Sequence, residues 1–335
     1  MTIYDIAQLA GVSGSTVSRV ANGKSGVNQH TRDKILALLE QYNYTPNETA
    51  RSLVTQSSKI IGIVIDNIHV THYMEGSYYI ERELADSGYY CLIVNANAGK
   101  GKLSAEDAMI EAVRNLEKHR VVGAVFVGAT CGNADFRKAV NRYLSNIPVV
   151  LINSFVEHPN IYGVGADEKD GFSQCVRLLS RKGRKNLALL VDSGRISGPL
   201  IKAGFDAGIQ EQNGTVNGWI YTNVENSTSG GGKVVQKILQ DHPEVDGLIC
   251  AQDFIAIGAL NELYNRGIRV PKQIAIIGED NSPYCEVCRP ALTSLDNKLI
   301  AASISAARTL IDALEKRNPS HQTVLRMEVI ERETT

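Results

Sequence analysis

The chain has little of what stabilises a secreted protein or anchors one in a membrane. Its 335 residues include six cysteines, nine prolines and one tryptophan, and aromatic residues make up only 6%. The cysteines, at 91, 131, 175, 250, 285 and 288, are too scattered for a disulfide framework in a chain of this size, which points to a reducing compartment. No run of about 18 apolar residues exists, so a membrane-spanning helix is not expected. The start lacks a basic segment followed by an apolar core, so neither is a secretory signal, and the expected location is the cytoplasm. Neither sign of charge dominates, since the formal net charge is −1. That balance hides an asymmetry: residues 1–59 carry six Lys or Arg against four acids, a net of +2, and the remainder carries −3. The N-terminus is therefore the end suited to a polyanion. No Ser-His-Asp order and no metal-ligand cluster argues for catalysis, so the chain is not expected to be an enzyme or to hold a metal or cofactor. What is present, 43% hydrophobic residues over this length, is enough to bury two or three domains.

The first 55 residues carry the sharpest pattern. Ile3, Ile6, Ala7 and Ala10 recur at helical spacing, with Thr2 placed to cap and Asp5 to close a capping box. Gly11 can stop this helix in a left-handed conformation. Val12 plugs the turn, Ser13 can cap a second helix, and Val17, Val20 and Ala21 give that helix a buried face. Its other face bears Gly14, Ser15, Ser18, Arg19 and Asn22, short or polar groups able to approach base edges and phosphates. A third helix is expected over about His30–Tyr42, closed by Ile35, Leu38, Leu39 and Tyr42, with Thr31 and Arg32 at its start suited to a phosphate. Beyond Pro46, Asn47 can cap a helix over Glu48–Val54 that is too short to stand alone.

On these residues, from Thr2 through Asn22 and on to Leu53, the segment 2–55 resembles the DNA-binding headpiece of the lactose repressor family of bacterial transcriptional regulators. The resemblance implies that Gly14 and Ser15 set specificity in the major groove and that Thr16, Ser18, Arg19 and Asn22 make general DNA contacts. It places Asn28, Thr31 and Arg32 on the DNA backbone, and Thr2, Tyr4, Ser13, Asn47, Ala50 and Arg51 on the same interface. It also implies a hinge helix paired across a dimer axis, with Leu53 wedged into the minor groove. In that scheme Leu53→Ala weakens specific binding more than non-specific binding. Gly14 has no side chain to read a base, which shifts the reading toward Ser15 and Arg19.

From Lys59 the pattern becomes alternating. Apolar runs at Ile60–Ile65, Tyr90–Val94, Val122–Val127 and Pro148–Ile152 are separated by helical spacing, and a second set runs from near Gly163 through Asn186–Val191, Gly218–Tyr221, Gly247–Cys250 and Ile274–Ile277. Such strands imply parallel sheets covered on both faces, two doubly wound units in tandem with a crevice at the strand carboxyl ends. This α/β body resembles the periplasmic-sugar-binding-like core of the same family (periplasmic binding protein-like I) through Ala251–Leu260, Gly278–Asn281 and Pro290–Thr293. The implied organisation is a headpiece at 1–46, a hinge and linker at 47–58 and a core at 60–335. Within the core, an N-subdomain spans about 60–161 and 291–319, and a C-subdomain about 162–290 and 320–333.

The resemblance further implies effector contacts from His72, Tyr73, Asp167, Gln252, Asp280 and Asn281. Two more family effector positions are occupied by Ile201, where an arginine is usual, and by Asn226, where an aromatic is usual. Glu279 replaces a phenylalanine and Gln252 an asparagine. The reading is a homodimeric, ligand-responsive regulator, a repressor on a near-palindromic operator, with a small sugar or sugar derivative as effector. The alternatives are a global regulator controlled by a phosphoprotein partner and, from a different class, a solute-binding module or enzyme carrying a DNA headpiece. Two further signals have plainer readings. Cys285 and Cys288 have C-x-x-C spacing without partner ligands, and Ser227–Lys233 looks like a phosphate loop but fits a capped helix start better.

Overall fold

The computed structural model describes residues 1–21, 23–44, 58–96, 104–128, 133–192, 195 and 197–335. The chain divides into two compact units, Met1–Ser58 and Lys59–Thr335. In the first, α1 (Ile3–Ala10), α2 (Gly14–Ala21) and α3 (Gln29–Gln41) enclose a small core of Ile6, Ala7, Ala10, Val17, Val20 and Ile35. The capping box is formed: the Asp5 amide donates to Thr2 Oγ1 (3.3 Å) and the Thr2 amide to Asp5 Oδ2 (2.7 Å). Gly11 ends α1 at φ 71°, and the Asn28 side chain caps α3 by accepting from the Thr31 amide (2.8 Å). Tyr42, expected in the third helix's buried stripe, is instead exposed, and Tyr44 packs against the core. Tyr42 is already the cap residue of α3, where the helical register ends.

The second unit is two six-stranded sheets. The first is built on β1 (Ile60–Ile65), β2 (Tyr90–Asn95), β3 (Gly123–Val127), β4 (Val149–Ile152) and β5 (Ile161–Ala166), all parallel. The second holds β6 (Asn186–Asp192), β7 (Asn217–Val224), β8 (Gly247–Cys250), β9 (Ala275–Glu279) and β10 (Thr293–Asp296), also parallel. β11 (Gln322–Leu325) then joins the first sheet beside β5, and β12 (Glu328–Ile330) closes the second, antiparallel to β10. Helices cover both faces of each. On the first sheet, α4 (Thr71–Asp86) lies opposite α5 (Ala105–Lys118) and α6 (Ala134–Tyr143). On the second, α7 (Glu168–Arg181) and α8 (Gly198–Gln210) lie opposite α9 (Thr228–Asp241) and α10 (Asp253–Asn265). The short α11 (Tyr284–Val287) precedes β10, and α12 (Leu299–Leu314) returns to the first sheet beside α4. Side chains alternate between faces, so fully apolar strands are what a doubly covered sheet requires.

The three crossings between sheets fall later than the boundaries drawn from sequence. β5 and β11 belong to the first sheet, and β10 to the second. Burial explains each shift: Ile161 and Val164 enter the two cores of the first sheet, Leu325 of β11 packs against one of them, and Leu292 and Leu295 enter those of the second. The Ser227–Lys233 segment is a capped helix start, with the Gly230 amide donating to Ser227 Oγ (3.0 Å). Its glycines serve packing: a Cβ on Gly231 would stand 2.1 Å from the Ile255 carbonyl oxygen, and one on Gly258 2.0 Å from that of Thr228. α9 and α10 thus meet backbone to backbone.

Candidate DNA interface and effector cleft

In the first unit, α2 presents its polar face outward. Ser13, Ser15 and Arg19 are exposed, and Thr16 and Ser18 are half-buried. Ser13 Oγ lies 2.8 Å from Ser15 Oγ and 2.9 Å from Thr16 Oγ1, a run of hydroxyls at the helix N-terminus where backbone amides attract anions. Tyr4 is 76% exposed. Its ring lies 3.4 Å from where a Gly14 Cβ would be, so the residue without a side chain sits beneath an exposed aromatic. Arg32 donates through Nη2 to the Lys24 carbonyl (2.6 Å) and fixes the turn before α3. Asn28 is committed to its cap, and Thr31 offers a half-buried hydroxyl one turn along. Asn22, Asn47, Ala50, Arg51 and Leu53, together with the expected hinge helix, lie outside the described residues.

In the second unit, charged side chains gather at the carboxyl ends of the strands. Arg195, which follows β6, is their centre. Its Nη2 donates to Glu279 Oε1 (2.7 Å) and lies 3.4 Å from Glu168 Oε1, Nη1 lies 2.7 Å from Glu279 Oε2, and Nε donates to Ser197 Oγ (2.9 Å). Nη1 also donates to the Ala251 carbonyl. Asp280, at the end of β9 with φ 107°, accepts from Asn297 Nδ2 (2.9 Å). With its amide oriented to satisfy both neighbours, Gln252 donates to Asp280 Oδ2 (2.9 Å) and accepts from Arg195 (2.9 Å). From the first sheet's side, His72 Nδ1 comes within 3.8 Å of Asp280 Oδ1, and the His72 and Tyr73 rings meet edge to face at 5.9 Å.

Burial sets the electrostatics here. It lowers the His72 ring to about 4, helped by the positive charge of Arg195, so this histidine is neutral at neutral pH. Burial pushes the Glu279 carboxyl up to about 8 against the opposing pull of Arg195, with Glu168 adding to the rise. It raises Asp280 well above the carboxylate range, reinforced by Glu279 and Asp253. The Tyr73 hydroxyl is pushed up to about 12 by burial and then by Asp66. Carboxyls, amides and a phenol on converging strand ends accept and donate in pairs, which suits a ligand rich in hydroxyls.

Of the residues selected from sequence, His72, Tyr73, Gln252 and Asp280 come together here. The others do not join them. Asp167 is exposed and caps α7 by accepting from the Asp170 amide (3.0 Å). Ile201, on α8, is fully buried in the core of the second sheet. Asn226 is exposed in the loop before α9. Asn281 accepts from Arg332 Nη2 (2.8 Å). Sequence reasoning missed Arg195, Glu168 and Asn297, and passed over Asp66 and Asp192. A signal existed for the last two, since each is the first charge after a fully apolar strand. The C-x-x-C pair is engaged locally. Cys285 donates to Asp253 Oδ2 (3.1 Å) and Cys288 to the Tyr284 carbonyl (3.0 Å), and burial pushes both thiols up, away from the reactive thiolate.

Comparison with known proteins agrees with this two-part construction. Residues 2–47 match the family model for bacterial regulatory proteins of the lacI family, and residues 176–335 that for a periplasmic binding protein-like domain. An HTH-type transcriptional regulator of Lachnoclostridium phytofermentans is 29% identical over an alignment of 339 residues, covering 100% of this chain and 99% of the relative. Catabolite control protein A of Priestia megaterium is 28% identical over 320 residues, 94% of this chain and 93% of that protein. The crystal structure of the lac repressor dimer bound to operator and the anti-inducer ONPF superposes with a TM-score of 0.88 at 23% identity, covering 100% of this chain and 98% of that one, which establishes a shared fold. No described helix is long and apolar enough to cross a membrane. The chain thus joins a lacI-family DNA-binding domain to a periplasmic binding protein-like domain, the construction of a transcriptional regulator, and it is similar over its full length to an HTH-type transcriptional regulator.

Proposed function

We propose that this regulator acts in the cytoplasm as a homodimer on a near-palindromic operator, as a repressor, and that a small hydroxylated, sugar-like effector between the two sheets sets its DNA affinity. The observation that carries this reading is the approach of His72, on the first sheet's side, to Asp280 at the end of a second-sheet strand. A ligand seated among these groups touches both subdomains, and it shifts their relative angle only by the difference in its affinity for the two arrangements. The apolar patch of Phe254 (40% exposed), Tyr284 (41%) and Val287 (71%) supports the dimer. The Phe254 and Tyr284 rings lie 5.3 Å apart, and a patch of this kind pairs with its own copy in a twofold interface. Selection of DNA from a random pool by the full chain tests the reading. An enriched twofold-symmetric sequence is expected, and a selected site without symmetry, or no enrichment, contradicts it.

A further inference from the structure

We propose that Tyr4 reads base sequence at the first turn of α2, in the place that Gly14 leaves empty, and that what it reads is the methyl group of a thymine. This rests on the reading of α2 as the element that enters the major groove, and it names the group that gives that end of the helix its selectivity.

The first turn of α2 has little of its own with which to reach a base. Gly14 has no side chain, and its backbone is helical, so no left-handed conformation calls for glycine there. Ser15 is exposed, but its short hydroxyl lies 2.8 Å from Ser13 Oγ, which in turn lies 2.9 Å from Thr16 Oγ1, so these hydroxyls are shared among themselves. Arg19 leans toward the other end: its Nη1 lies 3.1 Å from where a Cβ on Gly26 would stand, in the turn that follows the helix. The large side chain at the helix start comes instead from α1. Tyr4 is 76% exposed, and its Cε1 and Cδ1 lie 3.4 and 3.5 Å from where a Gly14 Cβ would be. The ring thus holds the ground that any side chain longer than alanine's would need in place of Gly14. Its backbone is held firmly, since Thr2 and Asp5 close the capping box around the turn of α1 that carries it.

Three roles for such a ring can be weighed. Packing alone accounts for it poorly, because Tyr4 faces solvent and has no part in the core of Ile6, Val17 and Ile35. A phosphate contact would use only the hydroxyl at its tip, and phosphate contacts carry no sequence information. Base reading uses the whole side chain. In the major groove the apolar group that a base presents is the C5-methyl of thymine, and an apolar side chain recognises it by contact. Tyrosine joins an apolar body to a polar tip, so its ring edge can meet that methyl while its hydroxyl stays with a phosphate or water. Gly14 is what lets an aromatic from the neighbouring helix lie this close to the start of α2.

The test takes the operator that the full chain selects from random DNA and replaces its thymines one at a time by deoxyuridine, which removes only the methyl group. Affinities are measured for the full-length wild type and for Tyr4→Phe, Tyr4→Ala and Gly14→Leu. At least one replacement is expected to weaken wild-type binding about fourfold, the worth of one buried methyl. Tyr4→Phe is expected to keep that dependence, because it keeps the ring. Tyr4→Ala removes the ring and Gly14→Leu pushes it aside, and both are expected to bind the thymine and deoxyuridine duplexes alike. Methyl dependence that persists undiminished in Tyr4→Ala overturns the proposal, as does a wild type indifferent to every replacement, and in either case the selected operator leaves the regulator reading standing. Failure to select any operator takes down the proposal and the regulator reading together.

Discussion

Arg19 and Glu279 show how single side chains divide the work. Arg19 is exposed on the polar face of α2, where a guanidinium can meet a phosphate or a guanine edge. Arg19→Ala is expected to weaken operator binding by roughly tenfold and to reduce the salt slope by about one, as judged by filter binding over a salt series. An unchanged slope would remove Arg19 from the interface. For Glu279 the folded-state value lies above the ordinary one, so the stability it contributes is present at low pH and lost as pH rises through about 8. His72 works the other way, because its lowered value costs stability as pH falls below its ordinary 6.5 toward 4. Between about 6.5 and 8 the carboxyls therefore govern. Melting of the wild type is expected at a higher temperature near pH 6.5 than near pH 8.5, and Glu279→Gln is expected to reduce that difference. A difference that persists undiminished in the variant would show that another group titrates. At this scale the sequence was least informative. Arg195 lies in a loop with no periodicity, and only the fold brings it onto Glu279 and Glu168.

Among the elements, legibility followed hydrophobic pattern. β1 reads directly from Ile60–Ile65 because both of its faces are buried. β5 does not, because Gly163 and Gly165 interrupt it to admit the ring of Phe155, which would stand 2.6 Å from a Cβ on Gly163. β10 hides for another reason: its buried Thr293 and Ser294 are polar. The Thr293 amide donates to Thr334 Oγ1 (2.8 Å) and Ser294 Oγ to Asp253 Oδ1 (2.7 Å). Those partners lie about 40 residues away in sequence, beyond any local pattern. The α9–α10 contact gives a sharp prediction. Gly258→Ala drives a methyl group into the Thr228 carbonyl, and a loss of about 1–3 kcal/mol is expected, the usual range for overpacking. Urea denaturation reads this as a lowered midpoint, and a midpoint equal to wild type would mean that the helices separate freely.

At the scale of the whole molecule, the order of a helical headpiece and a two-sheet body was legible from the tandem patterns, while the crossing points were not. They depend on which sheet buries Val164, Leu292 and Leu295, a choice made only in three dimensions. Assembly is likewise decided at this scale. Val287→Glu places a charge on the exposed apolar patch and is expected to shift sedimentation from dimer toward monomer, with operator affinity falling in step. A variant that remains dimeric would move the interface elsewhere. The central claim is that ligand occupancy of the charged cleft controls DNA affinity. The most direct measurement is the operator affinity of the wild type and of Asp280→Asn, each with and without a small-metabolite extract. The extract is expected to change wild-type affinity and to have a much smaller effect on the variant. An equal change in both would place the sensor outside this cleft.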